Sequence, residues 1–437
     1  MVEKSISVYL EHVRSFADAQ TVPIRPLTLL VGENSSGKTT FLAVAASVFG
    51  NQPLTRPAFN EPPFNFGAFE TIATYKGGKS GRADAFTIGF SMGDQVTPPY
   101  QDVKATYQRD RGGLGLTRFE AANDHGRITL RLEEETARGE LVLTAKGDSP
   151  EAHEPINVQL ENSDIISSYM SLTNLSSLLI AMTPNLRRGE ARSLFDRTVK
   201  AAGSFRVPFS SVASLAPIRS RPQRTYDELS EDQSPEGDHV PRVLARLLNE
   251  ERSSAKSNQV REALRRFGVD SGLFREIDVK RLGRGPDDPF QVRVNVGGPK
   301  VNLVDVGYGV SQALPVLVQS ALRRENSLML LQQPEVHLHP RAQAAFGSFL
   351  AELAALGRGA LLVETHSDYL VDRVRLEVAA GKLKPSQVQI LFFDRPKLDT
   401  IVYPIELDDQ GNVENAPDCY REFFLKEQLR LLTRVGS

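Results

Sequence analysis

The segment Gly32-Glu33-Asn34-Ser35-Ser36-Gly37-Lys38-Thr39 constrains this chain more than any other stretch. It fits G-x-x-x-x-G-K-[ST] at every position. It follows LTLLV, which reads as a buried strand, and precedes TTFLAVAASVF, a helical run without Gly or Pro that Gly50 closes. Glycines let the backbone wrap a polyphosphate with its N–H groups pointing inward, at the positive end of the helix dipole. Lys38 would then reach the β and γ phosphates, and the Thr39 hydroxyl would ligate Mg²⁺. A strand, loop and helix of this kind belongs in a largely parallel sheet, so the chain is expected to be α/β.

The last third agrees with that expectation. LMLLQ, GALLVET, QVQILFFD and TIVYPIEL alternate with helical stretches, the pattern of a mostly parallel sheet. Before it, ETIATY, DAFTIGFSM, GRITLRLEE and GELVLTAKG read as strands of an antiparallel sheet, and FQVRVNV and NLVDV as two more. Residues 165–203 and 239–267 carry helical periodicity. The polar stretch TYDELSEDQSPEGDH between them reads as a loop. A glycine-rich turn, Val304 to Gln312, is expected to start a helix near Ser311, with that serine as its cap.

A phosphate-binding loop needs a carboxylate at the end of a neighbouring strand, to hold the metal or position water. The strand Ser327 to Leu331 is the candidate, yet it ends in two amides, Gln332 and Gln333, ahead of Pro334-Glu335-Val336-His337-Leu338-His339-Pro340. A second buried strand, Leu362-Val363-Glu364-Thr365-His366, ends in a histidine able to hydrogen-bond a γ-phosphate.

Four motifs in this order resemble those of the ABC-type ATPases of the SMC, RecF and OLD-like group, which includes bacterial AAA proteins of anti-phage defence operons. The likeness covers roughly 1–75 and 300–437. Arg14 in HVRSFAD resembles the family's N-terminal arginine, which reaches ATP from beside the loop. GENSSGKTT resembles its Walker A, giving Gly32, Glu33, Asn34, Ser35, Ser36, Gly37, Lys38, Thr39 and Thr40 as nucleotide contacts. VDVGYGVSQALP is similar to a degenerate signature, so Gly307, Gly309 and Ser311 would meet the γ-phosphate held by an opposite subunit. QQPEVHLHP resembles Walker B with the D-loop, and His366 matches the switch histidine. LAPIRSRPQRTYD, around Arg219, also resembles a segment of the defence-type ATPases.

The resemblance implies a fold, an ABC-type P-loop ATPase head with a mixed parallel sheet, an antiparallel subdomain and a mainly helical insertion. Its parts would be a first lobe over 1–165, the insertion over 166–300 and a second lobe over 301–437. It implies ATP and Mg²⁺ as cofactors, Thr39 and position 332 as metal ligands, and Gln332, Gln333, Glu335 and His366 around the reaction. The family places an acid at 332 and often another at 333. Glutamine keeps the shape and loses the charge, so metal ligation weakens and water cannot be deprotonated unless Glu335 substitutes.

Implied partners are a second copy, in a head-to-tail ATP sandwich or a larger assembly, and a separate effector, a nuclease or toxin. A RecF-like repair ATPase that binds DNA directly is the alternative. Residues 181–300 carry about six more basic than acidic side chains, with Arg187, Arg188, Arg192, Arg197 and Lys200, and again Arg261, Arg265 and Arg266, spaced to track a phosphate backbone. The whole chain is near neutral, at 52 Lys+Arg against 54 Asp+Glu, which excludes a protein that coats nucleic acid along its length. One cysteine, Cys419, leaves no intrachain disulfide. The sequence has no apolar run of membrane-spanning length, so a cytoplasmic protein away from membranes is expected.

Overall fold

The computed structural model describes residues 5–50, 57–78, 80–93, 100–110, 113–132, 136–143, 156–161, 208–227, 234–249, 254–283, 288–422, 426 and 429–430. Strands β1 (Ile6–Glu11) and β2 (Gln20–Ile24) pair antiparallel, and β3 (Leu27–Gly32) runs into helix α1 (Lys38–Phe49). A one-turn helix, α2 (Phe69–Ile72), precedes β4 (Ala85–Met92), β5 (Gln101–Asp110), β6 (Gly113–Asn123), β7 (Gly126–Leu132), β8 (Thr136–Leu143) and β9 (Ile156–Glu161). These strands extend the first pair into an antiparallel sheet of order β2-β1-β4-β5-β6-β7-β8-β9.

After β10 (Ser211–Leu215) come α3 (Val240–Asn249), α4 (Ala255–Ser271) and a small sheet of β11 (Glu276–Arg281), β12 (Phe290–Asn295) and β13 (Val301–Asn302). The chain ends with α5 (Tyr308–Ala321), β14 (Ser327–Gln332), α6 (Pro340–Ala355), β15 (Gly359–Glu364), α7 (Asp368–Ala379), β16 (Val388–Asp394), β17 (Ile401–Leu407) and β18 (Val413–Glu414). The main sheet has the order β10-β14-β15-β3-β16-β17-β18, parallel from β10 to β16 and antiparallel at the β17–β18 edge.

Alternation along the central strands separates two cores. Leu30, Leu328, Leu330, Ala360, Leu362 and Leu391 face α1 and the antiparallel sheet, while Leu27, Leu29, Met329, Leu331, Leu361 and Val363 face the helices α3 to α7. Because both faces are covered, these strands are nearly continuous apolar runs, broken by the buried Thr28 in β3 and Gln389 in β16. Helix α1 lies between the sheets and is buried on nearly every side, which fits a run apolar all round. Each Leu or Phe so buried contributes about 1.5–3 kcal/mol.

Several expectations are corrected. ETIATY is not a strand: residues 69–72 make α2, and only Ala73 and Tyr75 form isolated bridges, to Val13 and Arg82. The expected strand at NLVDV is a 3-10 turn at Leu303–Asp305, because the Asn302 side chain accepts from the Val304 N–H and turns the chain. Helix α5 starts at Tyr308 with Gly307 as its cap, not at Ser311, whose Oγ donates to Tyr308 O at 2.7 Å from within the first turn. Strand β10, within the stretch expected to form an insertion, pairs with β14 in the main sheet. The helical expectation over 165–203, with Arg187, Arg188, Arg192, Arg197 and Lys200, lies outside the described residues. Among the described residues no helix is long and apolar enough to cross a membrane.

Candidate functional site

The loop between β3 and α1 is shaped by two glycines. Gly32 has φ 141°, and a Cβ there would lie 2.3 Å from the Phe393 carbonyl oxygen. Gly37, the cap of α1, has φ 104°, and its Cβ would press on the Phe16 ring at 2.9 Å. Neither position admits a side chain without distortion. The loop is also tied from outside, since Thr400 Oγ1 donates to Ser36 O at 2.9 Å and Arg395 donates to Ser35 O at 3.0 Å.

Lys38 is 3% exposed and folds back over the loop. Its Nζ donates to Gly32 O at 3.0 Å, Glu33 O at 2.6 Å and Ser36 Oγ at 3.4 Å. Burial pushes its pKa down, partly offset by Glu364 and Glu33. Next to it, Thr39 Oγ1 donates to the Glu364 carboxylate, 3.0 Å from Oε2. Glu364 is 5% exposed, and burial lifts its carboxyl above the usual range while Lys38, Thr39 and the Gln333 side chain pull it back.

A cavity of about 660 Å³ opens over these groups. It brings together Arg14, Asn34, Ser35, Gly37, Lys38, Thr39, Thr40 and Gln333 of the expected residues. Arg14, held at φ 51° with its guanidinium 4.2 Å from the Phe66 ring centroid, enters from beside the loop, and burial lowers its pKa. Arg82, Arg395 and Glu364 also line it. The sequence reading passed over these three in that role. Arg82 donates to Glu70 O and stacks on Tyr75, a placement created by the turn after α2 that no local motif announces. A second cavity, about 710 Å³, lies against the loop's other side and is lined by Gly32, Glu33, Asn34, Ser35, Ser36 and His366 among others. His366 is exposed, its pKa lowered by partial desolvation and by Lys38.

Gln332, Glu335, Gly307, Gly309 and Ser311 line neither cavity. Gln332 is buried at the end of β14. Glu335 turns back into the fold: its Oε1 accepts from Thr365 Oγ1 and from the His366 N–H, both at 2.8 Å. Burial raises its pKa, and its Oε2 has no hydrogen-bond partner. Beside it, Arg219 is 2% exposed and donates to Gln312 O at 3.2 Å, Gln332 O at 3.1 Å and Gln333 O at 3.3 Å. One guanidinium therefore joins the first turns of α5 to the end of β14, which gives the Arg219 segment a structural part. Burial lowers its pKa to about 10, against the pull of Glu335. Gly307 stands at the surface with nothing within 4 Å of a Cβ, while Gly309 packs on Leu338 and His337 O.

The donor set suits a polyphosphate and its divalent cation: an open helix N-terminus, a lysine over the loop, a threonine hydroxyl, and a carboxylate 3.0 Å from that hydroxyl. A loop strand between β15 and β16, a covered parallel sheet and an antiparallel sheet across α1 make this an α/β P-loop domain. A family model described as "AAA domain, putative AbiEii toxin, Type IV TA system" matches residues 27–372, and the chain belongs to that family.

A curated relative, "OLD nuclease" of Thermus scotoductus, is 24% identical over 369 residues. The match covers 82% of this chain and 58% of that protein, so the chain spans little more than half of its relative's length. Among solved structures, the SMC head domain of Thermotoga maritima matches at 13% identity and TM-score 0.38, covering 92% of this chain and 99% of that one. The Smc head domain bound to the C-terminal domain of ScpA, from Pyrococcus furiosus, matches at 10% identity and TM-score 0.43, covering 99% and 100%.

Proposed function

We propose that this chain binds ATP with Mg²⁺ at the loop between β3 and α1, and serves as a nucleotide-gated sensor or scaffold. It would pair head to tail with a second copy and control a separate effector, a nuclease or toxin, in anti-phage defence. The observation that carries the binding step is Lys38. A buried ammonium held over the loop by Gly32 O and Glu33 O is poised to exchange those carbonyls for phosphate oxygens. When bound, the divalent cation neutralises charge on the β and γ phosphates.

Turnover is expected to be slow. Gln333, at the cavity wall, accepts and donates hydrogen bonds but cannot take a proton from water, and lacking a general base costs about 10² to 10⁴ in rate. Glu335 does not compensate, because its carboxylate points at Thr365 and His366 N. A defence setting is supported by the family description, which names a toxin of a toxin–antitoxin system. Direct tracking of DNA by α4 is less well supported. Arg265 and Arg266 are paired with Glu262, and Arg261 donates to Leu248 O.

Calorimetry of ATP binding tests the reading. Lys38→Ala should weaken affinity about 10- to 100-fold, the worth of hydrogen bonds to charged groups, with the fold intact. Unchanged affinity would overturn it. Phosphate release from the wild type should lie well below that of Gln332→Glu or Gln333→Glu.

A further inference from the structure

We propose that Glu364 supplies the carboxylate that holds the nucleotide's divalent cation, in place of an acid at the end of β14. The proposal rests on the nucleotide reading above and assigns a role within that site.

The register of the main sheet carries it. Gln332 and Glu364 are direct partners on the parallel strands β14 and β15, so the acid missing from one strand stands at the same level on the next. Neighbouring strands lie about 4.8 Å apart, and β15 is the strand between β14 and β3. The displacement therefore moves the carboxylate toward the loop. It ends within hydrogen-bond distance of the Thr39 hydroxyl, the group that ligates the metal in loops of this type. Its backbone is fixed as well, for the Gln333 N–H donates to Glu364 O at 2.8 Å.

The surroundings also favour a cation. Glu364 is 5% exposed, yet Lys38 directs its hydrogen bonds to Gly32 O, Glu33 O and Ser36 Oγ. The hydrogen bonds that the carboxylate does receive, from Thr39 and Gln333, come from neutral groups. A buried carboxylate that Lys38 favours only through space, without bonding it, is incompletely compensated, and a metal ion beside Thr39 would reduce that cost. A hydrogen-bond acceptor for Thr39 alone would not need a charge, because glutamine has the same shape and an acceptor oxygen.

The test uses the full chain and separates charge from shape. ATP affinity is measured by calorimetry in EDTA and in Mn²⁺, and bound Mn²⁺ is counted by electron paramagnetic resonance, for wild type, Glu364→Gln and Glu364→Asp. In the wild type Mn²⁺ should tighten ATP, with one ion bound per site. Glu364→Gln should reduce that gain by at least the roughly tenfold that losing even an outer partner of a metal site costs. Its affinity in EDTA should be equal or higher, since a negative charge near the phosphates is gone. Glu364→Asp should recover part of the ion binding. Wild-type Mn²⁺ binding in Glu364→Gln overturns the assignment. Wild type that binds no ATP in either condition overturns the nucleotide reading, and this proposal with it.

Discussion

Gly32 shows how narrowly single residues fix the loop. Its φ of 141° belongs to a region essentially reserved for glycine, and the Phe393 carbonyl fills the space a Cβ would take. Gly32→Ala should cost about 1–3 kcal/mol from backbone conformation alone, with the clash added, visible as a lower urea midpoint. Glu335 makes a different prediction. Burial holds its carboxyl above the ordinary 4.5, so the folded chain binds that proton more tightly than the unfolded one. Its contribution to stability is complete below that ordinary value and is lost as pH rises through the folded value. Glu335→Gln keeps an oxygen for Thr365 and His366 N but removes the titration. Urea midpoints from about pH 4 to about pH 8 should therefore shift progressively in the variant's favour, and a constant difference would rule the account out. At this scale the loop was legible because eight consecutive residues carry its whole requirement. Glu364 was not, for its meaning depends on lying beside Gln332 and Thr39, which are distant in sequence.

Among elements, the apolar runs of β3, β14, β15 and β16 could be read directly, since a strand covered on both faces leaves a continuous signature. Short elements could not. The segment at 70–75 has strand composition, but its first residues close a helical turn and only two later ones reach bridges. The α5 cap was misread because Ser311 bonds inside its own turn. Arg219 belongs to this scale too, since it joins α5 to β14 through three carbonyl oxygens. Arg219→Met should fill most of the volume yet orphan those carbonyls and leave Glu335 without its nearby cation. A loss of about 2–4 kcal/mol is expected in urea unfolding. A change under about 0.5 kcal/mol, within the range of ordinary surface substitutions, would show that water replaces the guanidinium without penalty.

For the whole molecule, Gly307 and Gly309 line neither cavity beside the loop, and the head-to-tail pairing proposed above would bring them to the phosphates of a second copy. ATP should raise the mass measured by light scattering from monomer to dimer. Gly307→Gln should prevent this while preserving ATP binding by the monomer. The φ of −56° at Gly307 suits any residue and the space around its Cβ is open, so the fold should tolerate the change. Loss of ATP binding in that variant would argue against a surface role. The main sheet carries one more consequence, which concerns synthesis. Thr39 and Glu364 are 325 residues apart, and β3 finds its parallel neighbours only in β15 and β16. At about 5–20 residues per second, a ribosome spends roughly 15–65 s between the two. For most of that interval the apolar LTLLV strand lacks both of its parallel neighbours. No nascent chain shorter than about 364 residues, and no fragment released by early termination, can bring Thr39 and Glu364 together.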